Sequence, residues 1–136
     1  MKRSTLILTA AAAALVLPAA AAGARPHLSP QQKLDKMLEG RVAGEPVSCI
    51  DTLTHRNSTV IDKTAIVYGS GRTIYVNRPA HPESLRRDDV LVTRLHSTRL
   101  CNVDVVKLLD RSGGWYRGFV GLGDFVPYTR VRTASR

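Results

Sequence analysis

Apolar and polar positions follow three different rhythms along this chain. The first is an apolar run from Leu6 to Leu17 in which Thr9 is the one polar residue. Lys2 and Arg3 precede it, Pro18 ends it, and small residues fill positions 19–24. A basic start, an apolar middle and a small-residue end predict a secretory signal peptide over 1–24, with cleavage after Ala22 or after Ala24. The run is too short to span a bilayer, which takes about 20 helical residues. No second long apolar segment follows, so no transmembrane segment is expected after cleavage. The expected location is the periplasm or the medium.

The second rhythm is helical. Ser29 is a good N-cap, Pro30 suits the first helical position, and Gln32 completes a capping box. Leu34, Met37 and Leu38 then fall on one face, and Gly40 is placed to end the helix. A single narrow apolar stripe predicts a helix lying on a sheet.

From Gly44 onward the rhythm is that of strands. Pro46–Asp51 and Ser58–Asp62 read as short strands, with a polar loop between them. The firmest local signal is a hairpin joining Thr64–Tyr68 to Thr73–Asn77 around Gly69-Ser70-Gly71-Arg72. Both arms are rich in β-branched and aromatic residues, and the glycines permit the turn. A Pro-containing polar loop covers 78–88, and Asp89–Arg94 reads as a strand. Segment Val103–Leu109 fits a helix through Val103, Val106 and Leu109, or a strand through Val105, Lys107 and Leu109; strand is favoured. Trp115–Leu122 and Asp124–Tyr128 read as the last strands, bent at Gly118, Gly121 and Gly123.

The predicted fold is mainly β (α+β): an N-terminal helix packed on a small antiparallel sheet or partly closed barrel of about five to seven short strands. Residues 25–128 form a single globular domain, and 129–136 form a basic flexible tail.

Export changes the reading of charge and cysteine. The formal net charge is +9, from 20 Lys and Arg against 11 Asp and Glu. Lys2 and Arg3 leave with the signal, so 18 basic residues face 11 acids and the remainder carries +7. The two cysteines, Cys49 and Cys101, make an even count in an oxidising compartment, which favours one disulfide between them. Two buried thiols or a reactive pair are the alternatives. With no Cys-x-x-Cys, neither a thioredoxin-like motif nor a zinc knuckle is written in the sequence.

Four segments recur together in a known order: Val47-Ser48-Cys49-Ile50, Val60–Tyr68, Leu100-Cys101-Asn102-Val103-Asp104 and Gly123-Asp124-Phe125-Val126-Pro127-Tyr128. In these the chain resembles a family of small exported proteobacterial (sphingomonad-like) proteins of unknown function. Many members carry further cysteines near the positions of Ser84-Leu85 and Gly118-Phe119, both lacking here. Whether Cys49 and Cys101 pair with each other therefore stays open at this level. The family has no known activity, so the resemblance implies no catalytic residues.

The candidate chemistry is sparse. His27, His55, His81 and His96 lack the spacing of a metal-binding helix. No Gly-x-Ser-x-Gly elbow occurs; Gly69-Ser70-Gly71 is explained by its hairpin. Gly121-Leu122-Gly123 lacks the third glycine of a nucleotide fingerprint. Neither cofactor nor metal is expected. Asp88-Asp89 read as caps of the following strand and Asp104 as part of a turn. Trp115-Tyr116 could form an exposed stacking platform, with packing the favoured use.

Arginines give the most suggestive surface feature: Arg78, Arg86, Arg87, Arg94 and Arg99 in one stretch, and Arg130, Arg132 and Arg136 in the tail. Guanidinium forks suit phosphate and carboxylate groups. The favoured function is a non-enzymatic accessory or binding domain of the cell envelope, with an envelope polyanion or an envelope protein as partner. Nucleic acid is disfavoured because aromatic residues are only 5% of the chain, too few for stacking platforms as well as a core. The rival readings are a small hydrolase with a His/Asp site assembled from loops, and an inhibitor-like protein-binding module using loop 78–88.

Overall fold

The computed structural model describes residues 26–132. The expected signal peptide over 1–24 and Arg136 of the tail lie outside the described residues. Helix α1 spans Pro30–Leu38 and starts as its sequence directs. The Ser29 hydroxyl accepts the Gln32 N–H at 3.2 Å, and the Gln32 side chain accepts the Ser29 N–H at 2.8 Å. Just past its end, Gly40 takes a φ of 70°, in the left-handed region that lets the chain turn away.

Ten strands follow: β1 (Arg41–Ala43), β2 (Cys49–Asp51), β3 (Ser58–Ile61), β4 (Ala65–Tyr68), β5 (Thr73–Asn77), β6 (Asp89–Thr93), β7 (Arg99–Cys101), β8 (Val105–Asp110), β9 (Tyr116–Gly121) and β10 (Phe125–Arg130). They form antiparallel sheets of five (β1-β10-β5-β4-β3), three (β6-β8-β9) and two (β2-β7) strands. Among the described residues the chain is thus mainly β with one short α-helix on a sheet, as expected, and no sheet there closes into a barrel.

The strand count exceeds the expected five to seven. Strands β1, β2 and β7 have three residues each, too few to display an alternation. The expected strand Pro46–Asp51 shrinks to Cys49–Asp51, with Val47 making an isolated bridge to Phe125. Within the expected segment 103–109, the strand reading holds from Val105 onward and runs on to Asp110, while Val103 and Asp104 belong to the turn before it. The last strand runs past Tyr128, so Thr129 and Arg130 belong to the sheet and not to a tail. Thr129 is held there by Thr73, their hydroxyls 3.0 Å apart.

Burial explains the layering. Side chains alternate across a strand, so β4 sends Ala65 and Val67 one way and Ile66 and Tyr68 the other, and all four are buried. On one side, Leu34 of α1 packs with Ile61, Ala65, Val67, Ile74 and Val76. On the other, Ile66, Tyr68 and Phe125 meet Val106, Leu108 and Val120 of the three-stranded sheet, and Ile50 and Leu100 of the two-stranded one. The result is helix, five-stranded sheet, then the two smaller sheets.

A buried amide and a disulfide fix this side of the fold. Asn77, fully buried, donates to the Gly123 carbonyl at 2.6 Å and accepts its N–H at 3.1 Å, which sets the start of β10. A Cβ at Gly123 would sit 2.7 Å from the Arg78 carbonyl oxygen, so only glycine fits this clamp. Cys49 and Cys101 face each other directly across β2 and β7 and are joined by a disulfide over a separation of 52 residues. Closing a loop of that length is worth about 4 kcal/mol in the chain-entropy description. The Cys49→Ser/Cys101→Ser variant should therefore lose about 4 kcal/mol of unfolding free energy in a denaturant titration; a loss under about 1 kcal/mol would remove the bridge from the forces that hold the fold.

Candidate functional site

Those of the singled-out arginines that fall among the described residues are all exposed but do not form one patch. Arg86 and Arg87 line a crevice with His27, Lys33, Asp62, Lys63 and Asp88, where α1 meets the β3–β4 turn. Arg94 follows β6, Arg99 lies in β7 opposite Asp51, and Arg78 follows β5. Two backbone contacts build the crevice. The Lys63 N–H donates to the Leu85 carbonyl at 3.0 Å, and the Arg87 N–H donates to the Asp62 carboxylate at 3.4 Å. Lys63 has a φ of 50°, the single positive value at a non-glycine among the described residues. The crevice is cationic, but Asp62 and Asp88 offset part of that charge, and Arg87 lies 3.9 Å from Asp88.

The histidines occupy separate places. His55 is wedged in the β2–β3 loop, its ring edge-on to Tyr75 at 4.8 Å. His81 faces Glu83 at 3.2 Å in the open. His96 is exposed in the β6–β7 turn, and His27 borders the crevice. Among the described residues, no group of three His, Cys, Asp or Glu side chains is placed to hold a metal.

A different surface stands out physically: the outer face of the three-stranded sheet. The register stacks its side chains in rows across the strands. Val90 lies beside Leu109 and Leu109 beside Tyr116; Val92 lies beside Lys107 and Lys107 beside Phe119; Val105 lies beside Gly121. Val90, Val92, Val105, Tyr116 and Phe119 are exposed, Phe119 at 61%. Apolar side chains gathered on one exposed sheet face mark an interaction site more often than chance. Lys107 stands at the centre of these rows. Arg94 shares a depression with Val92, Val105 and Lys107, and Arg111 and Arg87 share another with Val90.

The β8–β9 turn adds Trp115, exposed at 75%. The Asp110 N–H donates to the Trp115 carbonyl at 2.8 Å, and the Gly114 N–H donates to the Asp110 carbonyl at 2.8 Å. A side chain at Gly113 would collide with the indole, which folds back over that residue. The Asp110 carboxylate accepts from both the hydroxyl and the N–H of Ser112, and these bonds hold its pKa below the ordinary value. It stays ionised, capping the turn, throughout the neutral range. The expectation of packing for Trp115 and Tyr116 therefore gives way to exposure, because the turn carries Trp115 beyond the sheet and β9 sets Tyr116 on the outer face beside Leu109.

Beneath this face, Arg117 forms an ion pair with Asp89, whose side chain is 2% exposed. Asp89 also accepts the Arg86 N–H at 2.8 Å, the strand-capping role expected for it. A register shift between Leu108 and Leu109 allows Tyr116 to face outward while Arg117 turns inward to this pair. Among the described residues, no helix is long and apolar enough to cross a membrane. Comparison with protein families, curated proteins and solved structures finds no match for the chain.

Removing one partner of a buried pair strands the other charge. Arg117→Met should cost about 3–5 kcal/mol in chemical unfolding, with Arg117→Lys recovering part of it. A loss below about 1 kcal/mol would show the pair to be solvated and idle.

Proposed function

We propose that this chain is an exported, non-enzymatic accessory domain of the cell envelope that binds anionic lipid surfaces through the outer face of its three-stranded sheet. The observation that carries the reading is the composition of that face: Val90, Val92, Val105, Tyr116, Phe119 and Trp115 exposed around Lys107, with Arg94 and Arg111 at its margins. Apolar and aromatic groups favour the headgroup boundary of a bilayer, where amphipathic rings settle. Each cation held near an anionic surface adds about 1 kcal/mol of attraction. The sheet face is favoured over the Arg86–Arg87 crevice because exposed apolar area is costly to leave in water, whereas exposed arginine is not. The apolar run at 6–17 and the small residues after it support export, and the Cys49–Cys101 disulfide suits an oxidising compartment.

The chain contains one tryptophan, so its emission reports on this face alone. At low ionic strength, phosphatidylglycerol–phosphatidylethanolamine vesicles should shift Trp115 emission to the blue and co-sediment the protein. Phosphatidylcholine vesicles should do so weakly, and added salt should reverse the anionic effect. Arg94→Gln/Lys107→Gln should weaken anionic binding about tenfold or more, and Phe119→Ser should abolish the shift. Unchanged emission with anionic vesicles would contradict the reading. If emission instead moved to the blue with protein concentration alone, the face would belong to a second copy of the chain.

A further inference from the structure

A second site lies where the β2–β3 loop meets the ends of the two larger sheets. Thr52, His55, Arg56, Ser58, Tyr68, Leu91, Thr93, Leu95 and Leu100 enclose a cleft of about 280 Å³. Three leucines supply an aliphatic floor. The walls are held in place before any ligand arrives. The Asp51 carboxylate accepts the Leu53 N–H at 2.7 Å and the Thr54 N–H at 3.3 Å, which fixes the loop. His55 Nδ1 lies 2.8 Å from the Thr54 hydroxyl and 3.0 Å from the Asp51 carbonyl oxygen, which ties the ring to the loop. A Cβ at Gly69 would lie 2.7 Å from the His55 ring, which is thereby locked between Gly69 and Tyr75.

Inside this frame stands a group with nothing to do in the folded chain. Tyr68 is 7% exposed, and its hydroxyl is buried with no hydrogen-bond partner. Leaving a buried donor unpaired costs about 1–3 kcal/mol, and phenylalanine would fill the same core position without that cost. Burial also raises the Tyr68 pKa well above the ordinary value, so the phenol keeps its proton and can only gain from an acceptor. At the rim, Arg56 spends its Nε–H on the Leu53 carbonyl at 3.1 Å. Its two terminal amino groups have no partner among the described residues.

We propose that this cleft binds a medium-chain aliphatic carboxylate, its tail on Leu91, Leu95 and Leu100 and its carboxylate oxygens accepting from the Tyr68 hydroxyl and the Arg56 guanidinium. An apolar cavity with a few convergent donors is the general form of a small-ligand site, and its size, just under the usual range, suits a ligand smaller than a drug. The charge-assisted pair with Arg56 orients the headgroup, and the tyrosine bond repays the orphaned donor. Nothing here depends on the lipid-facing surface, which lies on the other side of the three-stranded sheet and uses different residues.

Octanoate is the probe. Titrated into methyl-labelled protein and followed by NMR, it should produce saturable shifts at the methyls of Leu91, Leu95 and Leu100, leaving those of Val90, Val92 and Val105 in place. Tyr68→Phe should weaken octanoate binding about tenfold or more while keeping or raising the thermal midpoint. Arg56→Gln, on an exposed side chain, should weaken it severalfold without touching the core, and carries the test should Tyr68→Phe fold poorly. Octyltrimethylammonium, with the same tail and the opposite charge, should not compete. The proposal is overturned by the absence of saturable shifts, by Tyr68→Phe and Arg56→Gln both binding octanoate as wild type does, or by shifts confined to the outer sheet face.

Discussion

Everything in this fold follows from the burial of β4 on both of its faces. Ala65 and Val67 need one apolar cover and Ile66 and Tyr68 need another. The helix answers the first demand, through Leu34, Met37 and Leu38. The three-stranded sheet answers the second with Val106, Leu108 and Val120, while the disulfide-linked pair β2-β7 adds Ile50 and Leu100. A three-layer arrangement has two outer faces. The helix meets solvent with polar residues such as Gln31, Asp35 and Lys36. The three-stranded sheet has no such polar coat, because its strands carry apolar residues at both parities. That asymmetry gives the binding proposal its physical basis.

The parts legible in the sequence are those where local chemistry decides the outcome. The capping box at Ser29 and Gln32 fixed the start of α1, and the Gly69–Arg72 turn fixed the β4–β5 hairpin. A bond between Cys49 and Cys101 was favoured by their even count but left open by the resemblance, and it is the register of β2 on β7, which sets the two residues face to face, that decides it. Less legible were the elements whose existence depends on a distant partner. Strand β1 carries no alternation and is held by its pairing with β10, and by Arg41, which donates to the Arg72 and Gly71 carbonyls. Strand β7 is drawn into place by β2 and the bridge. The same dependence extends β10 through Thr129 and Arg130, where a basic tail was expected.

The helix-or-strand ambiguity over 103–109 was itself informative. A run that satisfies both periods has apolar residues on both sides of any strand it forms: Val106 and Leu108 inward, Val105 and Leu109 outward. Combined with Val90 and Val92 on β6, that is the outer face that the arginine pattern did not reveal. Sequence proximity placed Arg78, Arg86, Arg87, Arg94 and Arg99 together, but the fold separates them among the crevice, the edge of the sheet face and two other positions. Lys107 was visible only as a polar break in a strand, and its central position between Val92 and Phe119 comes from register alone. The Asp89–Arg117 pair was half legible, since the cap was expected and its partner, on a strand beyond a bulge, was not.

Because the central claim is geometric, the most direct measurement is a map of which methyl groups approach lipid. Anionic bicelles carrying a spin-labelled lipid should broaden the methyl signals of Val90, Val92 and Val105 strongly, and leave those of Val67, Val76 and Leu34, buried beneath the helix, sharp. Broadening centred on α1 or on the Arg86–Arg87 crevice, or none at any methyl while the protein stays folded, would contradict the assignment of the sheet face as the surface that meets the membrane.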